Sequence, residues 1–153
     1  MLETPHAVVG AAIATAIPNP FIAIPLAFLS HFALDMTPHW NPHISTELKK
    51  YGEVTQKSKN IIYLDLALSA ALTVFIASRA LPDTGHFLTI GTAGFAGILP
   101  DVIEAPYFFL HWKTKFLENW LKFQKSIQND VGVFWGLSTQ LVTVIAALWW
   151  IFN

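Results

Sequence analysis

The sequence predicts an all-α integral membrane bundle of one domain, and three observations carry that expectation. Residues of the AVILMFWYC set make up 54% of the 153-residue chain and charged residues only 12%, against about 25% charged in an ordinary soluble domain. The apolar residues gather in runs near the ~20 residues that a helix needs to cross a bilayer. The basic residues are segregated, with eight lysines in two segments and Arg79 by itself. The same composition excludes disorder. A net charge of −1 excludes a nucleic-acid module built on charge. The absence of cysteine excludes disulfides, thiolate metal sites and thiol nucleophiles.

The N-terminal unit, residues 7–34, is apolar apart from His31 and a few small polar residues, and Pro18-Asn19-Pro20 cuts it in two. The first piece, at ~1.5 Å per residue, is near 17 Å and too short to cross. A helical hairpin that enters the membrane and returns is expected, with two short crossings of a thinned region as the alternative. A cleaved signal peptide is not expected, because the first six residues carry Glu3 and no basic residue. Residues 61–80 form the next span, interrupted by Asp65 and ending near Arg79. Residues 85–112 form another, which Pro100 and Pro106 should bend or break by removing backbone donors. Residues 113–127 read as an amphipathic interfacial helix, with Phe116, Leu117, Trp120, Leu121, Gln124 and Ile127 on one side and lysines on the others. Residues 131–152 form an uncharged span closed by Trp149, Trp150 and Phe152, an interfacial anchor. Gly91, Gly94 and Gly97 supply small positions for close helix packing.

Lysine placement sets the sidedness. Lys49, Lys50, Lys57 and Lys59 precede the 61–80 span, and Lys113, Lys115, Lys122 and Lys125 follow the 85–112 span. The positive-inside rule puts both segments in the cytoplasm, making the chain a multi-pass protein of the cell (inner) membrane. Membrane lipids are then its immediate partners, and the lysines lie near anionic headgroups.

Ionisable groups inside a membrane are costly and are therefore paired or functional. His31, Asp35, His39 and His43 recur every four residues, and i, i+4 positions share a helix face. Pro38 and Pro42 prevent one helix through all four, which leaves His39 on the turn after the helix and His43 further out. The topology brings His6, His31, Asp35, His39, Asp65, Asp101 and Glu104 to a similar depth at the cytoplasmic end. His86 falls at the other end, and His111 beside Trp112 reads as interfacial. Taken singly, each has a plainer role: His31 and Asp35 as a hydrogen-bonded pair, Asp65 or Asp101 as a cap. Taken together they read as a metal site. Imidazoles with carboxylates suit zinc first, and manganese or iron next. The ligand count exceeds what one ion needs, so a second ion or an outer shell of orienting carboxylates is expected.

Three short motifs carry a resemblance. Pro5-His6-Ala7-Val8-Val9-Gly10 resembles the start, and Gly97-Ile98-Leu99-Pro100-Asp101 the Gly-x-x-Pro-Asp element, of the bacterial inner-membrane metal-dependent hydrolase family (YdjM-like). That family's His-Arg and Thr-His-Ser elements do not follow Pro100-Asp101 here. His31-Phe32-x-x-Asp35-x-x-Pro38-His39 is similar to the helix motif of the zinc-dependent phospholipase C and single-strand nuclease superfamily. That likeness implies an all-helical fold, zinc held by His31, Asp35 and His39, and hydrolysis of phosphate esters. The resulting expectation is a metal-dependent hydrolase at the cytoplasmic membrane face, acting on a phosphate ester such as a phospholipid or lipid phosphate. His6, His31, Asp35, His39, Asp65 and Asp101 would be ligands and Glu104 the general base. The alternatives are a non-enzymatic metal-binding or transport protein, and a small structural membrane subunit.

Overall fold

The computed structural model describes residues 1–153 and is all-helical apart from one small strand pair. Seven helices follow in order: α1 (Glu3–Ala16), α2 (Pro20–Asp35), α3 (Ile44–Tyr51), α4 (Gln56–Ser78), α5 (Thr84–Phe109), α6 (Lys115–Ile127) and α7 (Val133–Phe152). Strands β1 (Pro38–His39) and β2 (Asn129–Asp130) pair in parallel. Helices α4, α5 and α7 are long and apolar enough to cross a membrane.

Local chemistry sets the helix starts. Asn19 caps α2 through a bond from the Phe21 N–H, with Pro20 in the first turn. Thr55, Asp83 and Thr114 cap α4, α5 and α6 in the same way. Helix α1 has no cap of its own; Asp65 of α4 supplies one, accepting from the N–H groups of Glu3 (2.5 Å) and Thr4 (3.3 Å) and from the Thr4 hydroxyl (2.6 Å).

Helix α1 is the centre of the bundle and packs against α2, α4, α5 and α7. Beyond Thr4, Pro5, His6 and Val8, its buried residues are all small: Ala7, Gly10, Ala11, Ala12 and Ala14. They meet Ala93, Gly94, Ala96 and Gly97 of α5, also buried, so the two backbones touch. A Cβ on Gly97 would come within 2.5 Å of the His6 carbonyl oxygen, and one on Gly10 within 2.5 Å of the Ala93 carbonyl oxygen. Bulky side chains point outward instead, among them Phe21, Leu64, Val74, Leu88, Trp135 and Trp149. This inversion, with small residues inside and large apolar ones outside, is how helices pack in lipid.

Of the bend or break expected at Pro100 and Pro106, the break does not occur: α5 is one helix from Thr84 to Phe109. Side chains serve the carbonyls around the first proline: His31 Nδ1 lies 2.8 Å from the Gly97 oxygen, and Trp120 Nε1 donates to the Pro100 oxygen at 3.1 Å. The carbonyl that Pro100 leaves without its i+4 donor is that of Ala96, a loss that packed neighbouring helices allow in a membrane helix. Helix α3 and the β1–β2 pair have no counterpart in the sequence expectation. Helix α3 is short and buries no residue, so it lacks the apolar run that marks the others. The strand pair joins Pro38 to Asn129 and His39 to Asp130, a match between residues distant in sequence.

Candidate metal centre

Asp35, in the last turn of α2, is the hub of the site, and three imidazoles face it through Nε2. His6 from the second turn of α1 lies 3.3 Å from Asp35 Oδ1. His31, one turn earlier on α2, lies 3.4 Å from Oδ2, and His39 on β1 lies 3.8 Å from Oδ1. Asp101 of α5 joins from the side, its Oδ1 3.6 Å from His31 Nε2. The α-amino group of Met1 also contacts Asp35. All three histidines and Asp35 are fully buried.

The packing described above positions these groups. The close α1–α5 approach at Gly97 sets the His6 backbone beside the carbonyl that holds His31. The His6 and His31 rings stack with centroids 3.9 Å apart and planes 18° off parallel. The β1–β2 pair holds His39 after α2 ends. Gln124 of α6 reaches in and donates from Nε2 to Asp101 Oδ1 at 3.2 Å.

The hydrogen bonds fix which imidazole nitrogens are free. His31 Nδ1 faces the Gly97 carbonyl at 2.8 Å, and His39 Nδ1 faces the Thr37 carbonyl at 2.9 Å. A carbonyl only accepts, so in both rings Nδ1 carries the proton. In the neutral ring Nε2 then has a lone pair aimed at a carboxylate. Burial holds the His39 imidazole below its ordinary pKa, which favours that neutral form. Two lone-pair atoms facing each other repel unless a proton or a cation lies between them; the Met1 ammonium serves Asp35 Oδ1 in this way, and Oδ2 has no such partner.

Geometry and donor set fit a divalent cation. Nε2 of His31 and His39 and Oδ2 of Asp35 are buried without a hydrogen-bond partner, a costly condition in a dry interior. Ligand atoms ~2.0–2.2 Å from one tetrahedral zinc lie about 3.4 Å apart. The contacts of 3.3–3.8 Å around Asp35 match that spacing and exceed ordinary hydrogen-bond lengths. The ligand atoms of His6, His31 and Asp101 also lie within 4.8 Å of one another. The carbonyl partners of His31 and His39 are the outer-shell contacts that orient metal-binding histidines.

Two residues from the sequence reading sit differently. Asp65 uses both carboxylate oxygens to cap α1, so it positions the helix that carries His6. Glu104 stands one turn beyond Asp101 on α5, and its Oε1 is buried without a partner. It lines a cavity of about 230 Å³ together with Glu3, Asp65 and Asp101. His43 lines the same cavity outside the cluster. His111 is exposed after α5, and His86 bonds the Ala14 carbonyl at the far end of α1.

Three contributors escaped the sequence reading. Glu3 has a buried, unpartnered Oε2; its signal is its place one helical turn before His6. Gln124 is the one polar residue on the apolar side of α6, and a polar residue there needs a partner inside. Gln140 of α7 accepts from the Leu2 N–H at 2.8 Å and donates to the Trp40 carbonyl at 2.7 Å. It ties α7 to both flanks of the site. The chain matches no family model, no curated protein and no solved structure.

Proposed function

We propose that the chain is a membrane-embedded, metal-dependent hydrolase that acts on a phosphate ester, a phospholipid or lipid phosphate, at the cytoplasmic face of the inner membrane. The observation that carries this reading is the ring of three buried imidazoles around Asp35, with Nε2 of His31 and His39 unpartnered, beside Asp101, which lines a cavity. His6, His31, Asp35, His39 and Asp101 would hold the ion, zinc first by donor set, with manganese or iron as the other candidates. When bound, a divalent cation supplies a water nucleophile at neutral pH and neutralises charge on phosphoryl oxygens.

The chain's own residues do the rest. The Gly97 and Thr37 carbonyls keep His31 and His39 in the tautomer that presents Nε2. Gln124 steadies Asp101. Glu104 has a free carboxylate oxygen and lines the cavity, so it is placed to accept the proton of the attacking water. Lys125 lies at the cavity, and the other lysines of the two lysine-rich segments would draw an anionic headgroup towards it. A permeation path has less support, because the interior beyond the site is mainly alanine, valine and isoleucine. The buried hydroxyls of Ser69 and Thr89 bond back to their own helices.

The test is hydrolysis of lipid phosphate esters by the protein in lipid nanodiscs, beside Glu104→Gln. The expected result is metal-dependent release of phosphate or headgroup by the wild type. Glu104→Gln should lower turnover by about 10²–10⁴-fold with the metal retained. Equal turnover in the two proteins would remove Glu104 from the reaction. No turnover by a metal-loaded wild type on any phosphate ester would remove the hydrolase reading.

A further inference from the structure

The cavity beside Asp101 and Glu104 borders a second one. Its apolar side is made by Ile62 and Leu66 of α4 and by Val102, Ala105 and Phe109 of α5. Leu66 also lines a second cavity, of about 310 Å³, further along the same α4–α5 seam. That cavity contains no charged residue. Ala70 and Gly91 leave its space open, Ala7 of α1 closes its floor, and Val74 and Phe95 form its rims. Both rim residues are more than half exposed on the outer surface of the bundle. From Leu66 to Val74 the groove runs about 12 Å along α4, away from the lysine-rich end.

We infer that this seam holds one hydrocarbon chain of a lipid whose phosphate lies at the metal centre, with Leu66 dividing headgroup space from chain space. The inference rests on the proposed hydrolase reading for its headgroup end. The occupant follows from the adjacency of the two cavities: one is lined by Glu3, Asp65, Asp101 and Glu104, the other is uncharged, and Leu66 borders both. A soluble phosphate ester would fill only the first. A lipid phosphate fills both, and its chain enters sideways between α4 and α5 without leaving the hydrocarbon layer.

Gly91→Phe tests this directly, because a Cβ at Gly91 meets nothing within 4 Å and the ring would occupy the groove without displacing backbone. Ala70→Leu fills the groove from α4 as a second variant. The first probe is phosphatidic acid with a photoactivatable diazirine near the end of one acyl chain, added to the protein in nanodiscs. In the wild type, label should concentrate in residues 66–74 and 91–98 over the outward face of α7 around Trp149. Both variants should lose that concentration.

The second readout compares hydrolysis of long-chain phosphatidic acid with that of a water-soluble short-chain counterpart. The variants should lower kcat/KM for the long-chain substrate about ten-fold, the effect of roughly two methylene groups left outside the groove, and leave the short-chain substrate and the metal content unchanged. Labelling spread evenly over all lipid-facing helices, or labelling that survives both variants, would overturn the inference whatever the hydrolysis assay gives. Concentrated labelling without hydrolysis would keep the groove and remove the hydrolase reading. Short-chain hydrolysis with diffuse labelling would do the reverse.

Discussion

Gly97→Ala adds a single methyl group where α1 and α5 touch, and it should damage the proposed metal centre without altering any candidate ligand. The new Cβ would stand 2.5 Å from the His6 carbonyl oxygen and 3.1 Å from its carbon. Both are backbone atoms, so no side chain can swing aside. Ordinary contact begins near 3.4 Å, which requires α1 to retreat by about 0.9 Å. Overpacking of this kind costs about 1–3 kcal/mol. The retreat carries His6 with it and widens the 3.3 Å gap between its Nε2 and Asp35 to roughly 4 Å, wider than the ~3.4 Å spacing of tetrahedral ligands. Metal affinity should fall by about 10–100-fold, the range seen when supporting groups of a site are lost. The assay is a competitive metal titration against a chelating dye, with thermal unfolding recorded in parallel. Gly91→Ala is the control on the same helix, because its Cβ meets nothing within 4 Å; it should bind metal normally and be no less stable. Equal metal affinity in Gly97→Ala and wild type would refute the claim that the α1–α5 contact sets the site.

Two further predictions concern residues that hold the frame. Asp65→Ala removes the acceptor of two N–H groups and a hydroxyl at the start of α1 and should destabilise the protein by about 1–3 kcal/mol; a variant of unchanged thermal stability that has lost its metal would make Asp65 a ligand instead of a cap. Glu47 accepts from the Ser58 hydroxyl at 2.7 Å and the Thr55 N–H at 2.9 Å, joining α3 to α4. Partial burial alone would raise its pKa, but these bonds outweigh it and hold the carboxyl below its ordinary value. A depressed folded pKa contributes stability above the unfolded value near ~4.3 and loses it as pH falls through the folded one. Glu47→Gln should therefore cost about 1 kcal/mol at pH 7, and the gap in unfolding midpoint should close below about pH 4; a gap that stays constant into acid would show that the charge is not involved.

Much of the helical frame was legible because proline and long apolar runs mark it without ambiguity. Pro18-Asn19-Pro20 separates α1 from α2, and the uncharged 131–152 stretch becomes α7 with a shift of two residues at its start. The grouping of His6, His31, Asp35, His39 and Asp101 was legible through topology, because lysine segregation put the ends that carry them on one side. What escaped depends on partners distant in sequence. Helix α5 continues through both prolines, and its Gly97 and Pro100 carbonyls take His31 of α2 and Trp120 of α6 as partners. Asp65 reads as one more carboxylate until the uncapped start of α1 is seen against it. The placement of His39 depends on β1 meeting β2 across roughly 90 residues of chain. Helix α1, read as one arm of a hairpin too short to cross, is the most enclosed helix, because its alanines and its one glycine, Gly10, let neighbours approach closely.

The most direct test of the metal centre is the metal content of the purified protein. Elemental mass spectrometry would be run on detergent-solubilised wild type prepared without a polyhistidine tag, beside the His31→Ala/Asp35→Ala double variant. The geometry around Asp35 predicts at least one zinc, manganese or iron ion per wild-type chain, absent from a double variant that retains its helix content. A folded wild type that carries no divalent metal and takes up none when it is supplied would contradict the account.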